Sequence, residues 1–196
     1  MILKVALPGR PADRGFTMIE VLVTIIILTI GLLGLAGLQA RLQVAEIEAY
    51  QRAQAILVLQ DMVARINANR KNVTAYVTAS PLGEGNAVQS CAGKTGADLD
   101  LCEWGNMLLG ATETSGTQSV GAMIGARGCV SNPVATMPRQ MNVAVVWQGL
   151  TPTAAPTNTT CGSGLYGNEA TRRALVATIV IGCLQNDPTT GVCVTP

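Results

Sequence analysis

The chain has 196 residues, long enough for one domain with its own core beside an apolar segment, and its hydrophobic content of 48% with only 3% aromatics calls for an aliphatic core. Charged residues are 13%, about half the usual share for soluble domains, and the net charge is +1 with no basic cluster beyond the N-terminus, so no nucleic-acid partner is predicted. Histidine is absent, which removes the commonest general base and the commonest metal ligand, and no metal or cofactor is expected.

In chain order, Lys4, Arg10 and Arg14 come first, offset only by Asp13, and an uncharged run of 18 residues follows from Val21 to Leu38. That is about the minimum for a membrane-spanning helix. The basic flank keeps the N-terminus cytoplasmic and sends the remainder across the membrane. Three readings fit these features: a cleaved signal peptide with a weak small-x-small site at Gly34-Leu35-Ala36, a single-pass anchor, or a more specialised segment. A signal-peptide core runs about 7–15 residues, shorter than this one.

Glu20 at the mouth of the run selects among them. A carboxylate costs about 2.5–3.5 kcal/mol at the centre of a membrane helix and needs compensation. Cleavage between Gly15 and Phe16 would create an α-amine with an ordinary pKa of about 8, largely protonated at neutral pH. Phe16 and Glu20 stand at i and i+4, one helix face. Glu20 can then pair with the amine of its own chain or with that of a neighbour in a helix bundle. The second option makes it an assembly determinant.

The stretch RGFTMIEVLV, Arg14 to Val23, resembles the class III signal of type IV prepilins. The resemblance implies that Gly15 closes a leader peptide, that Phe16 becomes the N-methylated terminus, and that Glu20 is the buried glutamate of assembly. It also implies processing by prepilin peptidase and residence in the inner membrane. Other minor pilins and the major pilin are the implied partners.

Beyond Leu38 an apolar stripe continues through Leu42, Ala45, Ala49, Ala53, Ile56, Leu59, Val63 and Ile66. A helix from about Thr17 to Ile66, roughly 75 Å long, is expected to stop at Asn67, Asn69 and Asn72, its Ala53–Ile66 part resting on a head domain. Gly31, Gly34 and Gly37 mark either a close-packing face or, the favoured reading, a point of local weakness in a fibre. Past Tyr76 the texture is rich in Gly, Ser, Thr, Asn and Pro. Strands are expected at Val73–Thr78, at Met141–Trp147 with Met141, Val143, Val145 and Trp147 on one face, and at Leu175–Ile181 as a central or helix-covered strand. A short helix is expected at Asp98–Leu109 with Trp104 as its anchor. The fold class is α+β: a long N-terminal helix packed on a small antiparallel sheet, in agreement with the pilin-like fold that the resemblance implies.

The six cysteines, Cys91, Cys102, Cys129, Cys161, Cys183 and Cys193, all follow the apolar run, and none forms a C-x-x-C pair. Disulfides in an oxidising compartment are expected rather than zinc. Fifteen connectivities are open. Sequential pairing (Cys91 with Cys102, Cys129 with Cys161, Cys183 with Cys193) is favoured because each bridge closes a loop beside a predicted element. The order of CEW, Cys129, a strand ending VVW, a later cysteine and a last apolar strand after Arg172-Arg173 is loosely similar to PilV-type minor pilins.

The chain therefore divides into a leader (1–15), an apolar assembly helix (16–38), an amphipathic continuation (39–69) and a disulfide-stapled head (70–196). The expected function is that of a minor type IV pilin, with a type II secretion minor pseudopilin as the alternative that shares the signal. An anchored periplasmic enzyme or binding domain is the alternative of another class, and catalysis is not expected. The Asn-x-Thr triplets at Asn72 and Asn158 are read as chance in a bacterial setting. Asp98, Asp100 and Glu103 are read as a solvated helix start rather than a calcium site. Lys4, Lys71 and Lys94 stand in no setting that would activate a serine.

Overall fold

The computed structural model describes residues 15–110, 114–115, 118–119, 123–133, 140–183, 185–186, 189 and 193–195. The elements are helix α1 (Met18–Ala68), a 3-10 helix (Arg70–Tyr76), strand β1 (Leu82–Gly83), helix α2 (Gly96–Leu108), strands β2 (Thr114–Ser115), β3 (Gln118–Ser119), β4 (Arg127–Ser131) and β5 (Gln140–Gln148), a 3-10 turn (Glu169–Thr171), and strands β6 (Arg172–Val180), β7 (Gln185–Asn186) and β8 (Cys193–Thr195). They form a pilin-like α+β fold, in two units divided between Ala45 and Glu46.

In the first unit, the Ile, Leu and Val side chains of α1 from Ile19 to Leu42 are exposed, with no burial inside the chain over its most apolar window. Its most apolar window has a mean hydropathy of 2.7. The hydroxyls of Thr24 and Thr29 donate to the carbonyls of Val21 and Ile26, both at 2.8 Å, so neither needs water. The helix runs unbroken through Gly31, Gly34 and Gly37, and a Cβ added at any of them would meet open space.

The second unit is built on an antiparallel sheet of four strands in the order β1-β4-β5-β6. Its register is set by Cys129 opposite Ala144 and by Gln140 to Gln148 opposite Val180 to Arg172. Strand alternation assigns each side chain to a face. Met141, Val143, Val145 and Trp147 of β5 point into the main core with Val130 and Ile179, against Ala55, Val58, Leu59, Met62 and Ile66 of α1 and Trp104 and Leu108 of α2. Ala144 and Val146 point to the opposite face, where Cys161 and Tyr166 of the β5–β6 connection cover them.

Helix α2 is locked to α1 by Trp104, which is 0% exposed and donates its indole N–H to the Val58 carbonyl at 2.9 Å. The ring lies against the backbone of β4 at Gly128. A Cβ there would fall 2.7 Å from Leu108 Cδ1 and closer still to the Trp104 ring. Only glycine admits this approach.

Three expectations are corrected, and one strand was not foreseen. Val73–Thr78 is not a strand: it overlaps a 3-10 helix in which Val73 and Tyr76, three apart, are buried together while Val77 is exposed. The β6 segment is not a central strand: it is the outer strand of its sheet among the described residues, its Leu175, Ala177 and Ile179 in the cluster that α1 and α2 share and its Val180 74% exposed. The buried stripe of α1 is Gln51, Ala55, Val58, Leu59, Met62 and Ile66, so Ala53 and Ile56 face outward. Residues 55–59 are all apolar, and periodicity alone left the phase open by one position. Strand β4, which holds Cys129, went unread because its sequence RGCVS has neither length nor alternation.

Candidate functional site

Gly15, Phe16 and Thr17 precede the first helical residue, Met18. Phe16 is 83% exposed. Thr17 caps the helix: its Oγ1 accepts from the Glu20 N–H at 3.3 Å. Glu20 thus stands three residues after a threonine cap, the T-x-x-E spacing of a capping box, and in the first turn, where a carboxylate suits the helix dipole. The helix starts beyond Phe16, so Phe16 and Glu20 do not share a helical face in the uncleaved chain. The capping spacing was legible in Thr17-Met18-Ile19-Glu20, although the reading of Glu20 as a partner for an amine passed over it.

Two disulfides order the head. Cys91 bonds to Cys102 on α2, and Cys129 on β4 bonds to Cys161 in the β5–β6 connection. Cys183 is also disulfide-bonded. The expected partner, Cys193, has its side chain outside the described residues.

Three ionic groups were not foreseen. Arg65, in the last turn of α1, reaches Asp61 at 2.7 Å, Asp100 at 3.0 Å and Glu103 at 2.6 Å. Burial works against its charge, but the carboxylates of Glu103, Asp61 and Asp100 outweigh it and hold the guanidinium above its ordinary pKa. Asp100 also accepts from the Tyr76 hydroxyl. Burial and that bond push Tyr76 up to about 12. Asp100 and Glu103 are therefore a bridge between α1 and α2, and the solvated-start reading is corrected for both.

Arg172 is 3% exposed. It pairs with Glu169 at 2.7 Å and donates to the carbonyls of Pro156, Thr159 and Cys161. A buried guanidinium thus gathers the long connection onto the sheet. Glu48 does the same where the connection begins, accepting from the N–H groups of Leu150 and Thr151. Burial raises its pKa, but the Thr151 and Leu150 bonds and Arg173 bring it below the ordinary value. Two adjacent arginines followed by an apolar strand were the only sequence signal.

Among the described residues, no group of three or more Cys, Asp or Glu is arranged to hold a metal ion.

The family model described as the prokaryotic N-terminal methylation motif matches residues 10–36. No curated protein and no solved structure shows significant similarity to the chain. The chain thus carries a class III prepilin-like signal on a helix capable of spanning a membrane. The signal implies prepilin peptidase, membrane anchoring and assembly with other pilins, and it goes with a structural protein of the type IV pilin and pseudopilin kind.

Proposed function

We propose that the protein is a minor type IV pilin, of the PilV type. It is held in the inner membrane with its N-terminus cytoplasmic and its head facing the periplasm, cut between Gly15 and Phe16, methylated on Phe16, and passed into a pilus at the cell surface. The observation that carries this reading is the coincidence of the methylation motif over residues 10–36 with a helical segment whose apolar side chains, from Ile19 to Leu42, find no cover in their own chain. Bilayer lipid and a bundle of like helices both cover such a surface, so the helix can leave one for the other at little net cost. Glu20 supplies direction: inside an apolar bundle its carboxylate meets the α-amine of a neighbouring subunit, and neither charge is left unpaired. The six cysteines and the CEW…VVW ending favour a pilus over a type II secretion pseudopilus. Adhesion and twitching are the activities such a pilus would serve.

The test is mass spectrometry of the mature chain together with immunodetection in sheared surface fibres. A chain beginning with N-methylated phenylalanine at position 16, present in the fibres, is expected. A chain beginning at Gly37 would overturn the reading in favour of an ordinary signal peptide. Correct processing without appearance in fibres, beside co-purification with secretion components, would move the protein to the pseudopilins.

A further inference from the structure

Helix α1 carries Glu48 and Arg52 at i and i+4 with the acid N-terminal, the favoured order for an ion pair within a helix. That pair is not made. Glu48 Oε1 is taken instead by the Leu150 N–H at 3.1 Å, the Thr151 N–H at 3.2 Å, the Thr151 hydroxyl at 3.0 Å and the Arg173 guanidinium at 3.3 Å. Arg173 is committed in turn to Thr153, Ala170 and the Thr151 carbonyl. Arg52 remains exposed and, among the described residues, makes no ion pair.

Arg52 borders a cavity of about 360 Å³ in the second unit, lined also by Glu48, Ala49, Trp147, Arg173, Ala174 and Leu175. Its walls combine apolar surface with one cation in excess. A freely solvated arginine would contribute little to binding. A cavity with a Trp and Leu lining strips water from an incoming group and strengthens its attraction to the guanidinium. The resident carboxylate of Glu48 opposes a doubly charged anion such as phosphate, so a single carboxylate on an apolar stem fits best.

We propose that this cavity is a socket for an aspartate or glutamate side chain of a neighbouring protein subunit, with Arg52 as the docking cation. The proposal rests on the assembly reading above. The probe is Arg52→Lys in the full-length chain in cells, treated with a water-soluble carbodiimide, which joins an amine to a carboxylate in contact with it. An adduct linking position 52 to an Asp or Glu of another subunit, identified by mass spectrometry, is expected. Its yield should fall about tenfold when that acid is changed to its amide. Arg52→Gln should give no adduct and enter fibres about tenfold less than wild type, with cleavage after Gly15 intact. A link from position 52 only to Glu48 of the same chain, or no adduct while the protein still enters fibres, overturns the socket and leaves the assembly reading standing. An adduct to a protein without a prepilin signal, with none of the chain in fibres, keeps the socket and overturns the assembly reading.

Discussion

At the scale of single residues, Glu20 stands at a helix-capping position and has a proposed part in assembly, and substitutions can separate the two. As the third residue of a capped helix it occupies the capping-box position, where a suitable side chain contributes locally about 0.3–1.5 kcal/mol. In the proposed assembly its charge answers an ammonium inside an apolar bundle, where an unpaired buried charge costs several kcal/mol. Glutamine keeps the capping chemistry and loses the charge. We predict that Glu20→Ala and Glu20→Gln are both inserted and cleaved, and that both fail to enter sheared fibres. If Gln alone restored entry, capping would be the role; normal entry of both would remove Glu20 from assembly. Tyr76 gives a second prediction. Its phenol titrates near 12 in the folded state, above the ordinary value of about 10, so the protonated form is favoured by folding. The stability it contributes is complete below pH about 10 and is lost as pH rises through 12. Tyr76→Phe should cost about 1–2 kcal/mol at neutral pH and flatten the alkaline limb of a denaturation profile. An unchanged alkaline limb would count against the Asp100 bond.

At the scale of elements, two contacts can be tested by substitution. The α2–β4 contact depends on Gly128 having no side chain. Gly128→Ala should lower stability by about 1–3 kcal/mol, because neither the Trp104 ring nor the β4 backbone can yield. A melting temperature equal to wild type would show that the ring moves. The connection between β5 and β6 is held by the Cys129–Cys161 bridge, by Arg172, and by the Tyr166 hydroxyl donating to the Gly125 carbonyl at 2.7 Å. The Cys129–Cys161 loop spans 32 residues against 11 for Cys91–Cys102. On loop-closure entropy the longer bridge contributes about 3–4 kcal/mol and the shorter about 2–3 kcal/mol. Replacing each pair by serines should destabilise the head in that order under urea. The reverse order would mean that strain or residual structure, and not loop length, governs the bridges.

At the scale of the whole molecule, the chain joins an apolar segment that needs an outside partner to a head whose own core is closed. A small aliphatic core benefits from covalent closure, and in the proposed periplasmic setting an oxidising compartment supplies it. We predict that alkylation of the exported protein labels its six cysteines only after reduction. Two or more reactive thiols in the native protein would contradict full pairing.

How much of this was legible in advance follows from the range of the interactions involved. The membrane-length run, the signal around Gly15, Phe16 and Glu20, the helix of α1 and the strand at Met141–Trp147 depend on spacing along the chain, and spacing is written in sequence. The short helix around Trp104 was legible for the same reason. What Trp104 touches was not: its indole answers a carbonyl 46 residues earlier, and its ring requires a glycine in a strand too short to read. The phase of the α1 stripe, the 3-10 turn at Val73–Tyr76 and the edge position of β6 were decided by which surfaces meet, where local patterns were degenerate. Arg65, Arg172 and Glu48 likewise looked like ordinary surface charges. Only the fold set each beside partners from distant segments, since hydrogen bonds and ion pairs act over a few ångströms in space whatever the separation along the chain.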